Sequence, residues 1–447
     1  MPAKYRHLLA SVRAQEGHSL ATYATALQQH APTLGHGGMA WQRAKIHRWE
    51  RGVEPELAAQ IVMADFHGVP QAQVLARGWP GWLLLALPGP DVQAPFTPEA
   101  TLLALDDLAA DPTLATNAGT PLLPSEVLND LTTRWTTHVQ QSIEKGYTGA
   151  YIGVEVADAL HARLAALWHL DDSMGGAPCT TTARADLRMV TRLLRHARHS
   201  PQLTTDLHYL ASEYARFIGW AEFDAGNQAK AQRGWHAALR ASAEVNDPAH
   251  SAYLLSNLAL TAIYENDASR AISLLTTARD IAGTRTTPLV AAMVDTWRVR
   301  AAAAKGDAKS AARLLLQAEA EFERARPSDE DPPWAYWMCR PSHMAETGRA
   351  FLDLNDAVTA EALLTEGVQA LPAEAVRDRV LYLTWITTAQ ARQHALDAAV
   401  TTASTALDLT PLVDSGRCAD MLNEMAAELA PHRSVPQVAD VLDRLHA

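Results

Sequence analysis

The sequence predicts an all-α chain in two parts, a head of short helices and a longer body of stacked helical hairpins. Three observations carry that prediction. From about residue 125 onward, alanine and leucine recur at three- and four-residue spacing, and strand-like alternation is nowhere sustained. A pattern of turn plus helix start recurs five times through the body. Between the two parts, residues 80–98 hold Pro80, Pro88, Pro90, Pro95 and Pro98 with Gly81 and Gly89, a density that no helix survives.

Composition narrows the class. The 447 residues are 48% hydrophobic and 20% charged, a globular balance rich enough to bury a large core. The apolar run Trp82-Leu83-Leu84-Leu85-Ala86-Leu87 sits between Pro80 and Pro88, far short of the roughly 20 residues a membrane helix needs. The first residues lead into an amphipathic pattern without the apolar core of a signal peptide. Cys179, Cys339 and Cys418 are odd in number, far apart and without metal-ligand spacing. A cytoplasmic, soluble chain without disulfides, membrane contact or metal is expected. The net charge of −12 is uneven, because residues 1–80 hold eight basic and five acidic side chains. Only the head is suited to approach a polyanion.

In chain order, the head carries helical patterns over 4–16, 20–29, 42–50, 57–67 and 71–77, with Ser19 placed to cap the second. In the third, Ile46 and Trp49 lie three apart on a core face. Arg43, Ala44, His47, Arg48 and Arg51 fan over the other side, and Gly52 ends the helix. Residues 1–79 are read as the head and 80–124 as a linker with a short helix. A helix follows from Ser125 and Glu126, opening a connecting region over 125–206, and 207–447 form the hairpin body.

The body's repeat aligns Gly226-Asn227, Asn266-Asp267, Gly306-Asp307 and Asn355-Asp356, with a weaker fifth copy at His394-Ala395. The following anchor residues Ala231, Ala271, Ala311, Ala360 and Ala399 are 40, 40, 49 and 39 residues apart. Four positions after the first four anchors stand Trp235, Leu275, Leu315 and Leu364, and seven after stand Ala238, Ala278, Ala318 and Gly367. Gly or Asn tolerates the left-handed turn that closes one helix, and the next Asp or Asn caps the following helix. A small anchor lets two helices approach, and the large residue fills the groove between them. Such units bury their faces only by stacking. The pattern resembles the tetratricopeptide family over at least residues 207–407, with longer helices than the usual ~34-residue repeat requires.

Ile46-His47-Arg48-Trp49-Glu50-Arg51-Gly52 resembles the end of the recognition helix in the XRE (lambda-repressor-like) helix-turn-helix family. The segment from Ser19 to Leu27 is similar to its first motif helix, and that from Ile61 to Pro70 to its fourth and fifth helix junction. The resemblance implies an N-terminal five-helix helix-turn-helix domain, followed by a tetratricopeptide-like α-solenoid. It implies base contacts by Arg43, Ala44, His47 and Arg48, and phosphate contacts by Lys45, Arg51 and Arg13. One departure stands out. Residues 30–40 intervene where the family has a short turn, either as an excursion beside the DNA or as a distortion of the helix pair. Leu167-Trp168-His169-Leu170-Asp171-Asp172-Ser173-Met174-Gly175-Gly176 and Asp331-Pro332-Pro333-Trp334 look like landmarks of actinobacterial regulators that pair this head with a tetratricopeptide body. That family implies transcriptional control, often of development or secondary metabolism.

The tetratricopeptide register turns the first helix of each repeat toward a concave face. It places Arg216, Trp220, Tyr253, Tyr264, Arg300, Arg349 and Arg392 there. Two readings follow: arginine forks that hold an extended ligand with a carboxylate, such as a peptide, or arginines paired with neighbouring acids inside the solenoid. Asp171-Asp172, followed by Ser173 and Gly175-Gly176, reads as a helix end and turn rather than an acid dyad. His196 and His199 read as part of a solvated basic face. No phosphate-cradling, nucleophile-elbow, H-E-x-x-H or C-x-x-C pattern is present in the sequence, so catalysis and cofactors are not expected. The function expected is a homodimeric, sequence-specific regulator of double-stranded DNA, whose solenoid senses a peptide, small molecule or protein. The alternative is an interaction scaffold whose head does not bind DNA.

Overall fold

The computed structural model describes residues 7–87, 94–110, 131–135 and 154–446, apart from 198, 284 and 327–329. Among them every regular element is a helix, in agreement with the expected fold class. The expected helix start at Ser125 and Glu126 lies outside the described residues. The chain divides into two compact units, Met1–Thr137 and His138–Ala447, each described by itself.

The head unit contains α1 (Leu8–Gln15), α2 (Leu20–His30), α3 (Arg43–Trp49), α4 (Leu57–Phe66) and α5 (Gln71–Arg77). Ser19 Oγ accepts from the Thr22 amide at 3.1 Å, the expected cap of α2. Leu9, Tyr23, Leu27, Ile46, Val62 and Met63 close the core, each fully buried. Each such side chain contributes about 1.5–3 kcal/mol by leaving water. The 30–40 insertion begins as a 3-10 turn over Ala31–Leu34, closed by Gly35 at φ 79°. It returns through Trp41, whose amide donates to Gln28 and whose ring meets Trp49 edge-on at 5.9 Å.

The head ends later than the prolines suggest. Residues Gly81–Ala86 form a 3-10 helix with Trp82 and Leu83 fully buried. Trp82 Nε1 donates to Gln60 Oε1 at 3.2 Å, and Gln60 in turn donates to the Pro55 carbonyl. The segment is 3-10 rather than α, and a tryptophan with a polar partner packs into the core. The short helix expected in the linker is α6 (Pro98–Ala109), capped by Thr97.

The second unit is a run of helical hairpins, and it starts earlier than residue 207. The first hairpin pairs Val154–Met174 with Gly176–His196, and the second pairs Pro201–Asp224 with Gln228–Ser242. The two pack on each other, so the expected connecting region joins the stack. Four further hairpins follow, beginning at Pro248, Pro288, Arg340 and Val376, and then the helices Gly416–Leu429 and Pro436–His446.

The repeat pattern has a direct backbone cause. Gly226, Asn266, Gly306, Asn355 and His394 all adopt left-handed φ, between 59° and 81°. Each is followed by an amide that reaches back to close the preceding helix, as Asp267 does to Ala262 at 2.8 Å. Asp267, Asp307 and Asp356 then cap the next helix. Asn227 does not, because its amide donates to Glu222 instead. The five anchor alanines are buried, and Trp235, Leu275 and Leu364 fill the grooves, while Leu315 is only partly buried. A Cβ at Gly219 would stand 2.6 Å from the Trp235 ring, and one at Gly348 2.7 Å from Leu364, so both contacts need glycine.

Candidate functional sites

In the head, α3 is short, and its two large apolar residues settle its orientation. Ile46 and Trp49 are buried, which turns Arg43, Ala44, His47, Arg48 and Arg51 to the surface together. Among the described residues no ion pair involves Arg43, Arg48 or Arg51. Lys45 differs: its Nζ pairs with Glu56 at 3.0 Å and lies over the Trp49 ring. Arg13, expected at a phosphate, is committed inside the fold. Its Nε meets Glu50 Oε1 at 2.6 Å and another nitrogen donates to the His18 carbonyl, with 15% of the side chain exposed. Its charge ties α1 to the end of α3, and that withdraws it from the surface.

In the solenoid the concave-face residues separate into two cavities. Arg216, Trp220 and Tyr253 line one of about 110 Å³. Tyr264, Arg300, Arg349 and Arg392 line another of about 300 Å³. All four arginines are paired with acids, so the second of the two readings above describes the structure. Arg300 meets Glu346 and lies 3.8 Å from Asp353. Arg349 meets Asp353 at 3.0 Å and Glu424 at 3.4 Å, and Arg392 meets Glu428 at 2.9 Å. Arg216 binds Glu213 at 2.8 Å and donates to the Tyr253 hydroxyl at 3.3 Å. Burial works against the Glu213 charge, but Arg216 and the His250 ring prevail and hold the carboxyl at about 2. Buried arginines need such partners, because an uncompensated buried charge costs several kcal/mol.

The smaller cavity is walled by aromatic rings from distant parts of the chain. Trp168 comes from the end of the first hairpin's first helix and Trp220 from the second hairpin. Trp297 belongs to the helix Pro288–Ala304, and Trp334, Tyr336 and Trp337 to the 3-10 turn Pro333–Trp337. That turn is 3-10 rather than α, with Pro333 at its start, and it brings three large rings within four residues. Tyr253 stacks on Trp334 at 4.2 Å, and Trp168 on Tyr336 at 6.1 Å. Burial pushes the Tyr253 hydroxyl up to about 12, against the pull of Arg216.

The floor of this cavity is ionic. Asp171 and Asp172 lie in the last turn of Val154–Met174, and Gly175 follows at φ 89°, as the helix-end reading expects. Sequence reasoning stopped there and missed their surroundings. Asp171 Oδ2 accepts from Trp220 Nε1 at 2.9 Å and pairs with Arg377 at 3.1 Å. Asp172 accepts from the Tyr336 hydroxyl at 2.7 Å. Arg377 also reaches Asp224 at 3.7 Å, and Arg417 binds the same carboxylate at 3.2 Å. These contacts bring the first hairpin against residues more than two hundred positions later, so the solenoid winds round until its start meets its later hairpins. A cluster of Trp334, Tyr336 and Trp337 in a chain only 6% aromatic is the signal that sequence reading had in hand and used only in part. His199, read as basic surface, pairs its Nδ1 with Thr204 at 2.6 Å; the His196 side chain lies outside the described residues.

No family model matches the chain, and no curated protein matches it significantly. Among solved structures, a Rap protein complexed with competence and sporulation factor is similar at 12% identity and a TM-score of 0.42. The match covers 72% of this chain and 97% of that one.

Proposed function

We propose that the protein is a DNA-binding transcriptional regulator whose solenoid receives a ligand, a binding rather than a catalytic role. The observation that carries this reading is the outward face of α3 and the turn after it, where Arg43, Ala44, His47 and Arg48, and then Arg51, are exposed. In helix-turn-helix proteins that face enters the major groove. An arginine there binds guanine O6 and N7 bidentately, worth about 1–3 kcal/mol of discrimination. Arg51 and Lys45 would meet phosphates. Arg13 leaves that set for the internal role its pairing with Glu50 gives it. Such heads read two half-sites as a dimer, so a homodimer on a palindromic operator is part of the proposal. Development or secondary metabolism is the process that the family resemblance attaches to it.

The solenoid supplies the sensing half. It holds a cavity with aromatic walls and ionic floor, the composition of a small-molecule site. A ligand preferring one pitch of the superhelix would shift the spacing of two heads.

One observation favours the scaffold alternative. Two of the seven expected DNA-contacting side chains, Arg13 and Lys45, are engaged within the head. Selection of full-length protein from a random duplex library at near-physiological salt separates the two, run beside an Arg43→Ala, Arg48→Ala variant. A palindromic motif that is lost in the variant, with affinity falling steeply with salt, is the expected result. A library that stays unenriched, including with residues 1–87, which keep Trp82 and Leu83 in the core, artificially dimerised, would establish the scaffold.

A further inference from the structure

The arginines that the repeat register offers to a ligand carboxylate are already neutralised, and at the aromatic cavity the balance runs the other way. The Arg377 guanidinium stands within 4.0 Å of Asp171, Asp172, Asp224 and Asp378. Arg417 shares Asp224. Four carboxylates therefore divide two guanidiniums. Asp171 and Asp224 take the short contacts and are buried. Asp172 and Asp378 keep the long ones, at 3.7 and 4.0 Å, with 43% and 35% of their side chains exposed, and both line the cavity. Trp168, Trp334 and Tyr336 line the same cavity. Trp334 is 1% exposed, and its Nε1 has no hydrogen-bond partner, a buried donor at the cavity wall that lacks an acceptor.

From this we infer that the cavity is a receptor site for a small organic amine: a cation with an aromatic or apolar body, its ammonium facing Asp172 and Asp378 and an acceptor oxygen within reach of Trp334. This deepens the ligand-sensing half of the proposed function and rests on it. Aromatic faces attract cations through the ring quadrupole, and the rings supply the apolar burial for the body. An ammonium between these two carboxylates completes the charge balance that Arg377 leaves short. An anion finds the opposite, because each lining arginine already touches a carboxylate. The Asp172 carboxyl fits the same picture: burial, with Asp171 and Asp378 beside it, holds it above its usual range despite Tyr336 and Arg377. At about 110 Å³ the cavity suits one ring with a short arm, not a peptide.

The test uses three probes of one shape and three charges, 2-phenylethylamine, 2-phenylethanol and 3-phenylpropionate, titrated calorimetrically into the full-length protein at neutral pH. The amine should bind about tenfold more tightly than the alcohol, and the acid should give no binding heat. Asp172→Asn and Asp378→Asn should each weaken the amine about fivefold, leave the alcohol unchanged and keep the melting temperature. The amide oxygen introduced by Asp172→Asn still accepts from Tyr336, so this variant removes charge with little loss of packing. Alcohol or acid binding as tightly as the amine would overturn the inference and leave a ligand-sensing solenoid. Silence from all three at millimolar concentration would overturn the inference and leave the sensing half to a ligand of another chemistry. DNA selection by the head is read independently of either outcome.

Discussion

The head and the solenoid use the same side chain for opposite ends. On α3 and in the turn after it, Arg43, Arg48 and Arg51 stand exposed without an ion pair among the described residues. In the solenoid, Arg216, Arg300, Arg377 and Arg417 have at most 8% of their side chains exposed, and each touches at least one carboxylate. The cause is the surroundings. The head has more basic than acidic residues over 1–80, and Ile46 and Trp49 turn these three outward, while Arg13 is drawn in by Glu50. The solenoid has an excess of acids and deep inter-helix grooves, where a guanidinium survives only with a partner. Arginine at a ligand-facing register position is thus weak grounds for an anion site. The unpaired charge around it decides which ligand the site prefers.

That contrast can be broken or sharpened by measurement. The largest effect should follow Arg216→Ala, which strands Glu213 in the core and should cost about 3–5 kcal/mol in urea unfolding. Replacing both partners together, Arg216→Met with Glu213→Leu, should recover most of it. A single-variant loss below about 1 kcal/mol would show that Arg216 is not a structural charge.

Burial acts on histidine by the same rule. His208 is pushed down to about 4 by burial, with Glu244 opposing, so the folded chain keeps it neutral while the unfolded chain takes a proton at 6.5. Its contribution is complete above pH 6.5 and is lost as pH falls toward 4. The full loss is on the order of 3 kcal/mol. Unfolding midpoints across that range should fall in the native chain and flatten in His208→Gln; identical slopes would contradict the assignment.

The smallest stability effect belongs to the head. Arg43→Ala with Arg48→Ala should leave stability within about 0.5 kcal/mol, while duplex affinity falls about tenfold or more. A stability loss like that of Arg216→Ala would make them structural and erase the contrast.

Much of this was legible before any coordinates. The five hairpin turns were, because a left-handed backbone admits few residue types, and Gly226, Asn266, Gly306 and Asn355 are those types. His394 was the faint copy, since histidine signals the turn less clearly, yet it adopts the same φ. The orientation of α3 followed from Ile46 and Trp49. The end of the head did not: Pro80 and Gly81 resemble a linker, and only the hydrogen bond from Trp82 to Gln60 shows that the segment belongs to the core. The aromatic cavity was not legible either, since its residues run from Trp168 to Arg417.

The sequence by itself determined the all-helical class, the hairpin turns and the exposed basic face of α3, because these depend on local backbone preference and on periodicities of three and four residues. Tertiary structure alone decided where the solenoid starts, which arginines are paired and which two carboxylates are left over. Those depend on how each hairpin rotates on the last, small angles that accumulate until Asp172 meets Tyr336 and Asp171 meets Arg377.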